Sequence, residues 1–595
     1  MSKKRKEEKT RHKGSPANAT PVAPRRTRAG LHKRRPLSRA GGWFDLRRPE
    51  TTSDALLHPQ KVDGRPWKHL PLILVLAFAV RASVALSGDF VLHPDEIMQY
   101  LEPAHRLVFG NGVIYWEFFY GARSWLVPGL VAGVLKLFDL AGFGQPFWYV
   151  GGVKLTFCLI SLAVPAGMYF FARRHFSEAA ARAALLAGTF WYELIVFAHK
   201  PMTEFLATGL LMGLLVLCLS PAADRVRTVW LVALLTVLTA AVRLQYAPLA
   251  LVLLGLFFLR TEKKWQMTLA ATALFLAVGV FDMLTWNLAA GSFGKATWDY
   301  GLFHSYLTNI LVNLTRAERL SIIHPAWQYL VWLLCAGAGL TLLCVAMALR
   351  ELRRYGLLLA LIGLPLLLHA AQTHKEYRFV FVIVPLWLLI GTDLVVRFTT
   401  AASRQRLWTG AAAVVFAAVS SAGLLEALPY QNRSYQGVYI RPPERLGFIG
   451  GQDPAFAAYR YLARAPGVAA VVQPEREYAL TPGYYYLHRK IPFYARDTLD
   501  MVKKDLPALT TSVSHVISES SNLFLPGYSV EKVFGPIRIW RREENGVPVR
   551  QWRSYAPIIN SDYAQLLRRL DPDAPAVPPD SGIQFADGTP PESDS

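Results

Sequence analysis

The sequence predicts an all-α polytopic membrane protein of about 11 spans, with a small mixed α/β extramembrane domain on its C-terminal side. Three observations carry this. The 595 residues are 53% hydrophobic with mean hydropathy +0.25, more apolar than a soluble chain of this size. Several windows of roughly 18–22 residues lack a polar helical face, as membrane spans do. Beyond residue 427 these windows stop and short β-like runs alternate with turns.

The elements follow in order. Residues 1–66 read as a disordered basic cytoplasmic tail: the first 50 hold 16 Lys and Arg against 4 acids, among Ser, Pro, Gly and Ala. Much of the net charge of +22 therefore reflects orientation and contact with anionic headgroups. The run KKRKEEK fits a nucleic-acid motif only loosely, and no nucleic-acid partner is expected. The first apolar run starts near His69, too late for a cleaved leader. Spans are predicted near 69–87, 149–171, 182–198, 204–220, 228–243, 246–259, 266–288, 326–349, 356–371, 379–396 and 407–427. With the tail in the cytosol, every inward loop is basic, from Arg173, Arg174 and Arg182 to Arg397, Arg404 and Arg406. The outward loops hold the Asp95 region, residues 199–204, a long loop over 289–325, and residues 374–378.

Cys158, Cys218, Cys335 and Cys344 all fall in apolar segments and read as small core residues. Residues 428–570 form the predicted outer-side α/β domain, with strand signals in VAAVVQ, YYYLHRKIPFY, SHVISE and YSVEKVFGPIRIWRR. Residues 571–595, rich in Pro, Asp and Ser, read as a disordered acidic tail.

The chemistry concentrates in residues 91–130. His93-Pro94-Asp95-Glu96 sets two adjacent carboxylates just past the first span, where a base stays in water while a lipid substrate stays in the bilayer. Asp95 also suits the start of a helix, and the two roles are compatible. Gln99, Glu102, Trp116, Glu117, Arg123 and Ser124 follow; all but Ser124 are candidate substrate contacts. A second cluster, His374-Lys375-Glu376-Tyr377-Arg378, puts cations in an outer loop, against the charge rule; Lys and Arg are the usual partners of phosphate oxygens, and headgroup snorkelling is the competing reading. Asp282, at the outer end of the seventh span, and Arg243, at an outer boundary, complete the candidates. Arg81, inside the first span, is assigned no role. No phosphate-binding Gly-rich loop or zinc spacing is present, and no metal or cofactor is expected.

HPDEIMQYLEPAHRLVFGNGVIYWEFFYGARSW and HKEYRFVFVIVP together resemble the GT-C superfamily enzymes of glycosyltransferase family 22, nearest the branch that builds GPI anchors. FDMLTWNLAAGSFGKATW and HPAWQYL are looser matches in the same order, so the resemblance runs from about Leu72 to Ile390. It implies a GT-C fold and an inverting, metal-independent transfer of mannose from a polyprenyl-phosphate donor to a lipid-linked glycan. It further implies that Asp95 deprotonates the acceptor hydroxyl, that Glu96 assists or orients, and that His374, Lys375 and Arg378 hold the leaving lipid phosphate. Ile97-Met98, Tyr115-Trp116-Glu117-Phe118 and Tyr377 depart from the family pattern, leaving the acceptor open. The alternatives are another lipid-phosphate sugar, or a transporter or flippase; the latter predicts midplane acids and repeat symmetry, which this chain lacks. Composition suggests a bacterial inner membrane with a periplasmic site, the alternative being the endoplasmic reticulum and its lumen.

Overall fold

The computed structural model describes residues 65–119, 121–289, 300–320, 324–372, 375–425, 453–496, 512–520, 525–543, 549, 552–554 and 584–585. The basic tail up to residue 64, residues 426–452 and nearly all of 555–595 lie outside this set, as does His374.

Within the described residues, all eleven apolar windows are helical apart from local breaks. Among the described residues, six helices are long and apolar enough to cross a membrane: Leu70–Ser87, Pro146–His175, Lys264–Ala289, Leu340–Ala370, Ile383–Ala401 and Gln405–Leu424. The bent pair Glu178–Phe190 and Tyr192–His199 makes a seventh, and Thr203–Cys218, Val226–Val242 and Leu244–Arg260 are shorter apolar helices. The expected count of about 11 is thus six or seven full-length spans plus three short helices. Sixteen residues reach only about 24 Å, less than a bilayer core of about 30 Å. The predicted window at 326–349 is also divided, because Gly337-Ala338-Gly339 breaks the helix and Ala338 and Gly339 both take positive φ.

The bend in Glu178–His199 explains Arg81. Trp191 is extended between the two helices, and the axes turn by 57°. Such a turn frees carbonyls that lipid cannot satisfy. Arg81 is fully buried and donates to the Gly188 carbonyl at 2.7 Å and the Thr189 carbonyl at 3.3 Å. It therefore binds backbone at the break instead of snorkelling or pairing with an acid.

Two helices have no counterpart in the sequence reading. Leu126–Leu140 packs on Glu102–Phe109. His304–Leu320 lies in what reads as a long loop. Its start is held by Asp282, which accepts from the Ser305 N–H at 2.8 Å and the Ser305 hydroxyl at 2.5 Å.

On the C-terminal side, a five-stranded sheet runs in the order β2-β1-β3-β5-β4. The strands are β1 (Val471–Gln473), β2 (Phe493–Ala495), β3 (His515–Ser518), β4 (Tyr528–Phe534) and β5 (Ile537–Arg542). β1 is parallel to β2 and β3, and β5 is antiparallel to β3 and β4, so the sheet is mixed. YYYL, expected as strand, instead forms the short helix Gly483–Leu487. One face of this sheet packs on its own cluster of Tyr494, Val513, Val516 and Trp540, while Phe456, Tyr459, Tyr484, Phe493 and Ile539 pack in one cluster with Ile97, Met98, Leu101, Val131 and Tyr149. Burying those side chains jointly ties the sheet domain to the first loop.

Candidate active site

Asp95 ends an irregular stretch after the first helix and caps a π-helical turn, Glu96–Leu101, in which the Glu102 N–H reaches back to the Ile97 carbonyl. Single π-turns recur at functional sites because the extra residue re-aims the side chains before it. Here the turn separates Asp95 from the regular helix Glu102–Phe109.

Four segments remote in sequence meet at Asp95. Its Oδ2 lies 2.7 Å from Arg378 Nη2, across 283 residues. Arg378 Nε donates to Glu376, and Arg378 Nη1 is 3.2 Å from Glu204 Oε1. His93 bridges the cluster, with Nε2 3.2 Å from Glu376 and Nδ1 3.6 Å from Asp95. Arg243 Nη2 reaches the same Glu204 oxygen at 3.2 Å. Beside these, Glu117 holds Arg123 at 2.7 Å and accepts from the Gln99 amide at 3.1 Å.

Exposure separates the carboxylates. The Asp95 side chain is 16% exposed, against 4% for Glu376, 5% for Glu117 and 0% for Glu204, so Asp95 is the one a substrate reaches most readily. Burial alone would raise its carboxyl, but Arg378 and then His93 outweigh that and hold it below the ordinary range. Burial instead prevails at Glu117, which is raised despite Arg123. Arg378 stays cationic: its burial penalty is overcome by Asp95, Glu376 and Glu204.

The other candidates fall elsewhere. Glu96 is buried in a pair with Lys200 at 3.0 Å, and its second oxygen accepts from the Leu92 N–H at 3.1 Å; both contacts shape the loop, so of the two adjacent carboxylates only Asp95 faces Arg378. Lys375 is pinned to backbone, donating to the Gln372 carbonyl and, at 3.1 Å, to the His324 carbonyl. Asp282 is engaged by Ser305. Glu102 accepts from the Val113 N–H at 3.0 Å, the Tyr478 hydroxyl at 2.8 Å and the Tyr485 N–H at 2.8 Å, which makes it a joint with the sheet domain. Trp116 lies in the turn Trp116–Phe119, next to Glu117.

Sequence reasoning passed over Glu204 and Lys200. The signal available for both was an outer-facing loop that holds a Lys and a Glu within five residues, at the start of an apolar helix.

Residues 72–440, more than half of the chain, match the model of the Alg9-like mannosyltransferase family. GPI mannosyltransferase 3 of Drosophila melanogaster is 25% identical over 389 residues, 60% of this chain and 62% of that protein. The alpha-1,2-mannosyltransferase alg9 of Schizosaccharomyces pombe is 26% identical, over 55% of this chain and 60% of its own length. The chain thus spans about three fifths of the length of these curated relatives. Among solved structures, ArnT from Cupriavidus metallidurans bound to undecaprenyl phosphate shares the fold, with a TM-score of 0.51 and 13% identity over 80% of this chain and 99% of that one. Fold and sequence agree: the chain belongs to the Alg9-like mannosyltransferase family.

Proposed function

We propose that this protein transfers mannose, with inversion, from a polyprenyl-phosphate mannose donor to a lipid-linked glycan acceptor on the non-cytoplasmic face of a membrane. The observation that carries the reading is the contact between Asp95 and Arg378, a reachable carboxylate against a buried guanidinium that also borders Arg243 through Glu204. Base and anion-binding group thus belong to one cluster, and a single displacement at a glycosyl phosphate would use them on opposite faces of the anomeric carbon.

The chemistry follows from the charges. Asp95 takes the proton of the acceptor hydroxyl while that oxygen attacks the anomeric carbon. The bond from that carbon to the phosphate oxygen breaks on the opposite face, and the lipid phosphate leaves as an anion. Arg378 and Arg243 receive that charge. Before the donor arrives, Arg378 neutralises Asp95 and makes it a weak base. When phosphate takes the guanidinium, Asp95 recovers its basicity, so the base is armed only with the donor in place. Glu117 Oε2 and Gln99 Oε1 are buried without a hydrogen-bond partner, and they suit sugar hydroxyls.

The undecaprenyl phosphate bound to the ArnT neighbour supports a polyprenyl-phosphate ligand for this fold. The relatives' names support mannose and a glycolipid acceptor. Composition favours a bacterial inner membrane and the eukaryotic relatives favour the endoplasmic reticulum; the geometry serves both. The test supplies membranes carrying the full chain with radiolabelled polyprenyl-phosphate mannose, glucose or arabinose and a lipid extract of the host. Label should pass from the mannosyl lipid alone, with inverted anomeric configuration. Transfer from another sugar lipid would replace the donor assignment, and retained configuration would overturn the single displacement.

A further inference from the structure

We infer that Glu204 is a positioning residue, which sets Arg243 and Arg378 as one anion-binding pair for the donor phosphate. The inference rests on the phosphate reading above. Glu204 is fully buried, and its Oε1 lies 3.2 Å from Arg243 Nη2 and 3.2 Å from Arg378 Nη1. Both guanidiniums also border the ring of Phe379, at 4.9 Å and 5.4 Å from its centroid. Two like charges this close repel unless an opposite charge stands between them. Asp95 and Glu376 already neutralise Arg378. Arg243 has Glu204 as its ion partner, with a long contact of 3.4 Å to the Thr203 hydroxyl beside it.

The alignment of these groups points to a ligand. Arg243 Nε and Nη2 and Arg378 Nη1 are buried and make no aligned hydrogen bond, although two of them are within ion-pair distance of Glu204. Guanidinium hydrogens held in this way remain available to a phosphate, which offers several acceptor oxygens at once. The carboxylate is itself fixed. It stands in the first turn of the helix Thr203–Cys218, where the helix dipole favours an acid, and its Oε2 accepts from the Thr203 hydroxyl at 3.2 Å. Glu204 acts through the two arginines and has no contact with the reacting atoms.

The experiment compares Glu204→Gln, Arg243→Gln and the double variant in the full chain. It measures apparent KM for polyprenyl-phosphate mannose and, separately, for the acceptor lipid extract. Glu204→Gln should raise the donor KM about tenfold, the loss of one charge-assisted contact, with the acceptor KM within about twofold. The double variant should raise donor KM by less than a further tenfold over Arg243→Gln alone, because part of the carboxylate's effect passes through that arginine. Where Glu204→Gln does not fold, the charge-balanced double variant against Arg243→Gln gives the same answer. An unchanged donor KM, an equal rise in both KM values, or additive losses in the double variant would overturn the inference. Arg378→Lys separates the two levels of the argument. If it raises donor KM while Glu204→Gln does not, Glu204 alone is reassigned; if neither Arg378→Lys nor Arg243→Gln changes donor KM, the phosphate reading falls and takes this inference with it.

Discussion

Asp95 and Glu102 are seven residues apart on one stretch of chain, both carboxylates, and they sit in opposite environments. Asp95 faces a guanidinium at 2.7 Å and is held below the ordinary carboxylate range. Glu102 has no cation among its hydrogen-bond partners; it accepts from two backbone N–H groups and a tyrosine hydroxyl, and burial pushes it up to about 7. Neutral donors satisfy a carboxylate's lone pairs without offsetting the cost of burying its charge, so Glu102 is a structural joint. An exchangeable ion pair that a phosphate can open is what chemistry needs. On the proposed function, a cation partner together with residual exposure distinguishes Asp95 from the structural Glu102 and from Glu96, whose partner Lys200 is buried.

The comparison can be broken at either end. Asp95→Asn, which keeps the shape and loses the base, should lower transfer about a thousandfold with the protein still folded. A loss under about tenfold would move the base elsewhere. Arg378→Lys should come next. A lysine cannot reach Asp95, Glu376 and Glu204 together, so donor KM should rise about tenfold while acceptor KM holds; an equal loss of both would make Arg378 structural. Tyr478→Phe removes one of the donors to Glu102 and should cost about 1 kcal/mol of stability, read as detergent thermal unfolding, with turnover per folded molecule unchanged. A fall in turnover would mean that the sheet domain tunes the site through this joint. Gly483, with φ +64°, belongs to the same joint, since a Cβ there would meet Glu102 Oε1 at 2.5 Å.

The last effect is a pH dependence with a definite sign. Glu102 is raised in the folded protein, to about 7. Its contribution to stability is therefore full below the unfolded value near 4.5 and is lost as pH rises to about 7, an effect on the order of 3 kcal/mol. Thermal stability in detergent should fall across that window, and Glu102→Gln should flatten the slope. Asp95 is shifted the opposite way, so its ion pair is lost only as pH falls below the ordinary carboxylate range. A slope unchanged in Glu102→Gln would show that another group governs it.

Much of the fold was legible because lipid imposes a simple requirement, a long run of apolar residues, and each predicted window holds a helix. The breaks went unpredicted. Trp191 carries no Pro beside it, and its bend is held by Arg81, more than a hundred residues away, whereas Gly337-Ala338-Gly339 held a local signal that the sequence reading passed over. Leu126–Leu140 is too short for a span and contains Lys136 and Asp139, so it falls below the window criterion. At the site, Asp95, Glu117, Glu376 and Arg378 stood out as charges beside apolar segments. Glu204 did not, because an acid at a helix start already has a local explanation and its partners Arg243 and Arg378 are distant in sequence.

The central claim is that Asp95 acts as base once the donor phosphate occupies its arginine partner. The most direct measurement is single-turnover transfer by wild type and Asp95→Asn, each preloaded with radiolabelled polyprenyl-phosphate mannose and then mixed with acceptor lipid. The account predicts that Asp95→Asn binds donor at least as tightly as wild type and that only the wild type passes mannose on. Transfer by Asp95→Asn at a rate near wild type, or loss of donor binding with transfer intact, would contradict it.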